Sequence, residues 1–338
     1  MDSITSPRVY GISILQILNV ISYIIFLFTS GIAGAGALGL PRIGETSNEL
    51  PVNTTPAGYA FSIWSLIFTL LGILTFLQVL PQNREWSSRS LGLWWVLNAA
   101  LGEGLWPFAF VFRWGGMWVS AVLLLFIVLT AAAMYFQMRA GVPPLHNAQS
   151  PATGTPGLLG YLSRPTPAVS LAEMLLVQGG VAIYLGWTTA ATILNISIAL
   201  SKSGVSESEG ALGSICVCAA AAALALVFSA TRTEFMFAGA VCWALAAIHV
   251  NQKNLGLPVA AANASLASAG VAGAAGGLAL AWRVGMLYTG RLALAPWSLS
   301  LGGEGGKGAP SADSKEVLNP VAAGLQSGST PSTVVAWA

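Results

Sequence analysis

The sequence contains very little charge. Only 8% of its 338 residues are Asp, Glu, Lys or Arg, against roughly 25% in an average soluble domain. A soluble protein of this length needs a charged surface, so soluble globular, disordered and collagen-like chains are excluded. Hydrophobic residues make up 55% of the chain, which indicates a lipid environment. The net charge of +2 is too small for strong attraction to phosphate, so no nucleic-acid partner is predicted.

Residues that bind metals or perform catalysis are also scarce. The chain has three cysteines and two histidines. Cys216 and Cys218 are two residues apart, which on a helix separates their directions by about 200° and prevents them from sharing a metal. There is no cluster of His, Cys, Asp and Glu, no Ser-His-Asp candidate within an apolar run and no phosphate-binding loop. We therefore predict no catalytic residue, no metal site and no cofactor, and we expect that the chain is not an enzyme.

Long apolar runs dominate what is present. A membrane-spanning helix needs about 20 mostly apolar residues, and such runs lie near residues 10–32, 57–80, 91–112, 115–138, 180–200, 211–230, 235–250 and 265–288. The first run exceeds the roughly 7–15 apolar residues of a signal peptide, so we expect it to be retained. The pattern predicts an all-α, polytopic membrane helix bundle of about eight transmembrane helices, with the lipid bilayer as its partner.

The runs divide the chain into three parts. Residues 1–200 hold five spans and a proline-rich segment at 142–167, which predicts a flexible loop. Residues 201–288 hold three additional spans, and residues 289–338 are rich in Gly, Ser, Pro and Ala without apolar periodicity, which predicts a disordered tail. Small residues in the last span permit close packing, either within the chain or between copies in a homo-oligomer.

The distribution of positive charge predicts an orientation. With eight spans, both termini lie on the same side of the membrane, and that side carries 10 of the 14 Lys and Arg residues. Because cytoplasmic links are enriched in positive charge, both termini are expected to be cytoplasmic. No retention or lipidation motif points to a particular membrane.

Aromatic residues recur along one face of each of three predicted spans. These stripes are Phe61, Trp64 and Phe68 on the second span, Trp95, Asn98, Gly102 and Trp106 on the third, and Tyr184, Trp187, Ala191 and Asn195 on the fifth. Aromatic faces bury area against a planar ligand, and an indole N–H or an amide orients it. Such stripes also pack helix against helix, with asparagine bridging between them. Both interpretations stay open from the stripes alone.

Glu103 lies near the middle of the third span, where a charged side chain is costly. One interpretation is a hydrogen-bond acceptor or proton-carrying group that lines a ligand cavity. The other is a protonated or hydrogen-bonded carboxyl between helices. Glu103 also supports an alternative function, a proton-coupled secondary transporter of a small molecule, although no inverted repeat or matching pair of broken spans is visible.

Three motifs on these spans resemble those of one membrane family. Residues 55–64, Thr-Pro-Ala-Gly-Tyr-Ala-Phe-Ser-Ile-Trp, look like its Pro-Pro-Gly-Trp-Val-Phe…Trp motif. Leu-Asn at 97–98, followed by Trp-Pro-Phe-Ala-Phe at 106–110, and Tyr-Leu-Gly-Trp at 184–187, followed by Leu-Asn at 194–195, look like its second and third motifs. The chain thus resembles the tryptophan-rich sensory protein / translocator protein (peripheral-type benzodiazepine receptor) family, in a longer eight-span branch.

The resemblance implies a five-helix core over about residues 10–200 and a receptor or sensor function. Family members bind tetrapyrroles, sterols and synthetic aromatic compounds between helices, so a small planar apolar ligand such as a porphyrin or haem is expected here. By position, the ligand-binding residues would be Phe61, Trp64, Asn98, Trp106, Tyr184, Trp187 and Asn195, to which Glu103 is added from its place in the third span. Tyr59 stands where the family motif has its first tryptophan.

Overall fold

The computed structural model describes residues 8–9, 12–80, 91–140, 173–232, 234–256 and 259–288. The predicted loop at 142–167 and the predicted tail at 289–338 lie outside these ranges. Two short segments, β1 (Arg8–Val9) and β2 (Ile12–Ser13), pair antiparallel just before the first helix. The rest of the described chain is built from helices and the links between them.

Seven long helical segments in the described ranges are long and apolar enough to cross a membrane. Their main helices are α1 (Ile14–Ala35), α3 (Ile63–Val79), α6 (Trp118–Ala140), α7 (Gly179–Lys202), α8 (Glu207–Arg232), α9 (Phe235–Asn254) and α10 (Val259–Tyr288). A short helix, α2 (Ile43–Asn48), lies in the link between α1 and α3. The prediction of an all-α, polytopic membrane bundle is confirmed.

The third predicted span, residues 91–112, is an irregular helix. It consists of α4 (Gly92–Val96), a π-helical segment (Leu97–Gly102) and α5 (Glu103–Val111), which follow one another without a break. A π-helical turn inserts extra residues and changes the phase of the helix faces. The regular α-helical spacing assumed between Trp95 and Trp106 therefore does not hold across this span, although Trp95, Asn98, Gly102 and Trp106 are all buried.

Proline contributes to this irregularity. Pro107 lies inside α5 and has no N–H to donate to the carbonyl group of Glu103, four residues earlier. The Thr29 hydroxyl of α1 lies 3.3 Å from that carbonyl oxygen. The same hydroxyl lies 2.9 Å from the Ile25 carbonyl oxygen of its own helix, so its one hydrogen is shared between a local acceptor and the one that proline leaves unpaired.

Helix α1 shows how the bundle is oriented toward lipid. Its buried side chains are mostly polar, and they recur every three or four residues at Gln16, Asn19, Ser22, Phe26, Thr29 and Ala33. Its opposite face exposes large apolar side chains, among them Ile24 and Phe28. This arrangement reverses that of a surface helix in a soluble protein, because lipid solvates apolar groups and leaves polar groups without partners.

A tight turn joins α5 to α6. Gly115 and Gly116 have φ angles of +56° and +62° within the 3₁₀ segment Trp114–Met117, a left-handed backbone that glycine adopts readily. The turn reverses the chain direction within a few residues, so α5 and α6 pack side by side.

The last three helices are attached to the earlier ones through α7. Helix α9 packs against α7, and α10 packs against both α8 and α9. At the crossing of α7 and α9, a Cβ on Gly186 would lie 2.8 Å from the Phe237 carbonyl oxygen and 2.9 Å from Ala240 Cβ. The backbones approach so closely that only glycine fits at this position.

We expect Gly186→Ala to lower the stability of the bundle, because the added methyl group must push α9 away from α7. Overpacking of this kind costs about 1–3 kcal/mol. Thermal unfolding in detergent, followed by circular dichroism, measures the effect. The matched control is Gly270→Ala in α10, where a Cβ would meet nothing within 4 Å. Equal melting temperatures for the two variants would contradict the tight crossing.

Candidate functional site

The candidate site is a cavity at one end of the bundle. We call residues 36–62, which join α1 to α3, the first link. Helices α5, α7 and α9 and the beginning of α3 meet beneath it. Together with its open mouth, the cavity contains about 510 Å³ of space between the surrounding atoms.

The wall of the cavity is almost entirely apolar, with aromatic rings from four different segments. It is formed by Ile43, Ser47, Thr54, Pro56, Phe61, Trp64, Trp106, Phe110, Trp187, Ala190, Ala191, Leu194, Asn195, Ala244 and Ile248. The first five come from α2 and the rest of the first link, and the last two come from α9. A wall of this composition buries apolar surface and offers few polar contacts.

The aromatic rings of the wall meet edge to face. Trp187 is T-shaped to Phe61, with ring centroids 5.8 Å apart, and to Trp64, at 6.4 Å. Trp106 and Phe110 are tilted toward each other at 5.6 Å. Edge-to-face pairs favour particular ring orientations, so the rings of the wall present defined faces and edges to the cavity.

The structure places five of the eight predicted ligand-binding residues on the wall. These five are Phe61, Trp64, Trp106, Trp187 and Asn195. The other three, Asn98, Glu103 and Tyr184, contact one another in the bundle interior, and the cavity wall in the described ranges does not include them.

The Asn195 amide is held by protein groups on both sides. Its Oδ1 accepts a hydrogen bond from Ser120 Oγ of α6 at 2.5 Å, and its Nδ2 donates to the Ala191 carbonyl oxygen at 3.0 Å. Asn195 therefore links α7 to α6 while one side of it faces the cavity.

Tyr184 is the centre of the second group. Its hydroxyl oxygen lies 2.6 Å from Asn98 Oδ1 and 2.7 Å from Glu103 Oε1, and all three side chains are buried. Asn98 Nδ2 in turn donates to the Ile127 carbonyl oxygen of α6 at 2.8 Å and to Thr130 Oγ1 at 2.7 Å. The group connects α7, the π-helical segment, α5 and α6 by short hydrogen bonds.

The number of hydrogens available assigns the donors in this group. Asn98 turns its NH₂ toward the Ile127 carbonyl, so its Oδ1 can only accept. The Tyr184 hydroxyl has one hydrogen and faces two acceptors, Asn98 Oδ1 and Glu103 Oε1. Both short distances are satisfied when the Glu103 carboxyl carries a hydrogen and donates it to Tyr184, which donates to Asn98. Glu103 Oε2 has no hydrogen-bond partner among the described residues, which a neutral carboxyl tolerates far better than a carboxylate.

Several wall residues were not predicted from the sequence. Phe110 lies four residues after Trp106, so helical spacing would have found it. The wall residues of the first link and of α9, such as Pro56 and Ile248, carry no signal in the sequence, because only the packing of α9 against the link brings them to the cavity.

We expect Tyr184→Phe to destabilise the bundle, because it leaves the Asn98 and Glu103 side chains without their shared partner. Buried polar groups without a partner cost about 1–3 kcal/mol, so the melting temperature in detergent should fall. Tyr59→Phe is the control, since the Tyr59 ring is half exposed.

We expect the wild-type protein to show the infrared carbonyl band of a protonated carboxyl group. This band should disappear in Glu103→Gln. Absence of that band from the wild-type protein would refute the hydrogen assignment.

Comparison with known proteins identifies the family. The chain matches the family described as TSPO-like protein over residues 16–277, which includes α1 and most of α10. No curated protein and no solved structure matches the chain. The match covers well over half of the chain and confirms the resemblance seen in the three motifs, so this chain belongs to the TSPO-like protein family.

Proposed function

We propose that this membrane protein binds a planar, apolar ligand of the tetrapyrrole class in the aromatic cavity beneath the first link. The observation that carries the proposal is the convergence of Phe61, Trp64, Trp106 and Trp187 on one cavity wall. These residues come from the end of the first link, the start of α3 and two further helices. Large aromatic surfaces that converge on one cavity are suited to a flat, polarizable molecule.

Two polar atoms of wall residues support a ligand that also carries polar groups. Trp106 Nε1 and Thr54 Oγ1 are buried and have no hydrogen-bond partner among the described residues. A buried donor without a partner costs about 1–3 kcal/mol. A ligand with a carbonyl or carboxylate at its edge would supply an acceptor for the indole N–H, which a pure hydrocarbon lacks.

We also propose that both chain termini face the cytoplasm and that the first link faces the opposite side. The support is the charge asymmetry of the sequence, with 10 of 14 positive residues on the side of the termini. The mouth of the cavity beneath the first link would then lie at the non-cytoplasmic end of the bundle.

The proposed binding is tested by titrating the purified protein with protoporphyrin IX and following its absorption band together with tryptophan fluorescence. We expect Trp64→Ala combined with Trp187→Ala to weaken binding at least about tenfold, because buried aromatic anchors contribute about 2 kcal/mol or more to binding. The matched control combines Trp94→Ala with Trp282→Ala, since both of these rings are exposed on the outside of the bundle. Equal affinities of the two double variants would refute the aromatic cavity as the binding site.

The alternative function, a proton-coupled secondary transporter of a small molecule, stays a prediction. Glu103, on which it depends, belongs to the group around Tyr184 rather than to the cavity wall. Proton-driven uptake into liposomes that disappears in Glu103→Gln would favour it.

A further inference from the structure

Part of the cavity wall is made by the first link, which lies against α9. Thr54 and Pro56 of the link line the cavity, and residues 54–57 are buried. Residues 49–57 of the link form no helix, and the hydrogen bonds within them, such as Thr55 N to the Val52 carbonyl oxygen at 2.9 Å, do not tie the segment to the bundle. Its position must therefore come from the groups that bind its backbone.

Helix α9 binds the link backbone at four successive points. Gln252 Nε2 donates to the Asn53 carbonyl oxygen at 2.5 Å, and Asn251 Nδ2 donates to the Thr55 carbonyl oxygen at 3.0 Å. The remaining two bonds are Ala57 N to the Ala247 carbonyl oxygen, 2.9 Å, and Trp243 Nε1 to the Ala60 carbonyl oxygen, 3.0 Å. Trp243, Ala247 and Asn251 are four residues apart, so they follow one face of α9.

Gln252 joins this row to the two other late helices. Its Nε2 lies 3.3 Å from Ser214 Oγ of α8, and its Oε1 accepts a hydrogen bond from Ser265 Oγ of α10 at 2.7 Å. The Gln252 side chain is 1% exposed. One buried amide therefore connects α8, α9 and α10 to the backbone of the first link.

We infer that Asn251 and Gln252 are positioning residues that fix the link as a wall of the cavity, so that α8, α9 and α10 determine ligand affinity through the link. This inference rests on the proposed function for its ligand readout. Neither residue lies on the cavity wall in the described ranges. Thr54 and Pro56 lie between these two residues and the cavity. Asn251 and Gln252 bind the carbonyl groups of Thr55 and Asn53, which are next to Thr54 and Pro56 in the chain.

The main test combines Asn251→Leu with Gln252→Leu in the full-length protein in detergent. These substitutions keep the side-chain size and remove the donors. Hydrogen–deuterium exchange of residues 49–60 should become about tenfold faster, the factor expected for one or two lost hydrogen bonds. Exchange in α3 and α7 should stay unchanged, which distinguishes a local loss of the wall from general unfolding. Protoporphyrin IX affinity should fall by a similar factor.

The matched control is Asn254→Leu, the same substitution at the exposed end of α9. It should change neither the exchange of the link nor the affinity. Unchanged exchange of residues 49–60 in the double variant would overturn the inference. Faster exchange with unchanged porphyrin affinity would overturn it as well, because the link would then be held but would not shape the site.

A readout without ligand separates failure of this inference from failure of the proposed function. Ala191→Cys places a thiol on the cavity wall, in a background where Cys216, Cys218 and Cys242, the three native cysteines, are alanine. Asn251→Leu with Gln252→Leu should speed its labelling by a maleimide about tenfold, the factor expected for the freed link. If the wild-type protein does not bind porphyrin but labelling still accelerates, the ligand is wrong and the positioning role stands. Unchanged labelling would overturn the positioning role itself.

Discussion

The membrane interior offers no water, so each polar group inside the bundle needs a partner from the protein. Helix α1 turns its polar face inward for this reason, and Gln16 Nε2 donates to the Gln78 carbonyl oxygen of α3 at 2.5 Å. Trp95 Nε1 of α4 donates to the Asn19 carbonyl oxygen at 3.1 Å. The group around Tyr184 and the row on α9 satisfy the same requirement. Each of these networks bridges several helices, so the positions of the helices follow from the pairing of their polar groups.

The cavity lies between two of these networks. Tyr184 is close to the wall, with its ring centroid 6.4 Å from that of Trp64. Trp106 follows Glu103 by one helical turn. On the other side, the first link covers the cavity and is bound by α9. The largely apolar wall therefore adjoins side chains whose directional hydrogen bonds hold the helices, so few polar groups are needed on the wall itself.

Two residues of the motif stretches contact the late helices. Gly186 is the third residue of Tyr-Leu-Gly-Trp at 184–187, and only glycine leaves room there for Phe237 and Ala240 of α9. Tyr59 replaces the first tryptophan of the first motif, and its ring packs edge to face on Trp243 of α9 at 5.3 Å. The family match, which extends to residue 277, includes these helices.

The sequence by itself determined that the protein is a helical membrane bundle, because apolar runs of spanning length have no other stable place. Helical spacing also predicted the wall residues Phe61, Trp64, Trp106 and Trp187. It did not separate Asn98 from Trp106 in the third span, where a π-helical segment intervenes and only Trp106 reaches the cavity wall. Only the tertiary structure decided that Asn98, Glu103 and Tyr184 bind one another, and that Thr54, Pro56 and Ile248 join the cavity wall. These outcomes depend on contacts between residues far apart in the chain, which local periodicity does not encode.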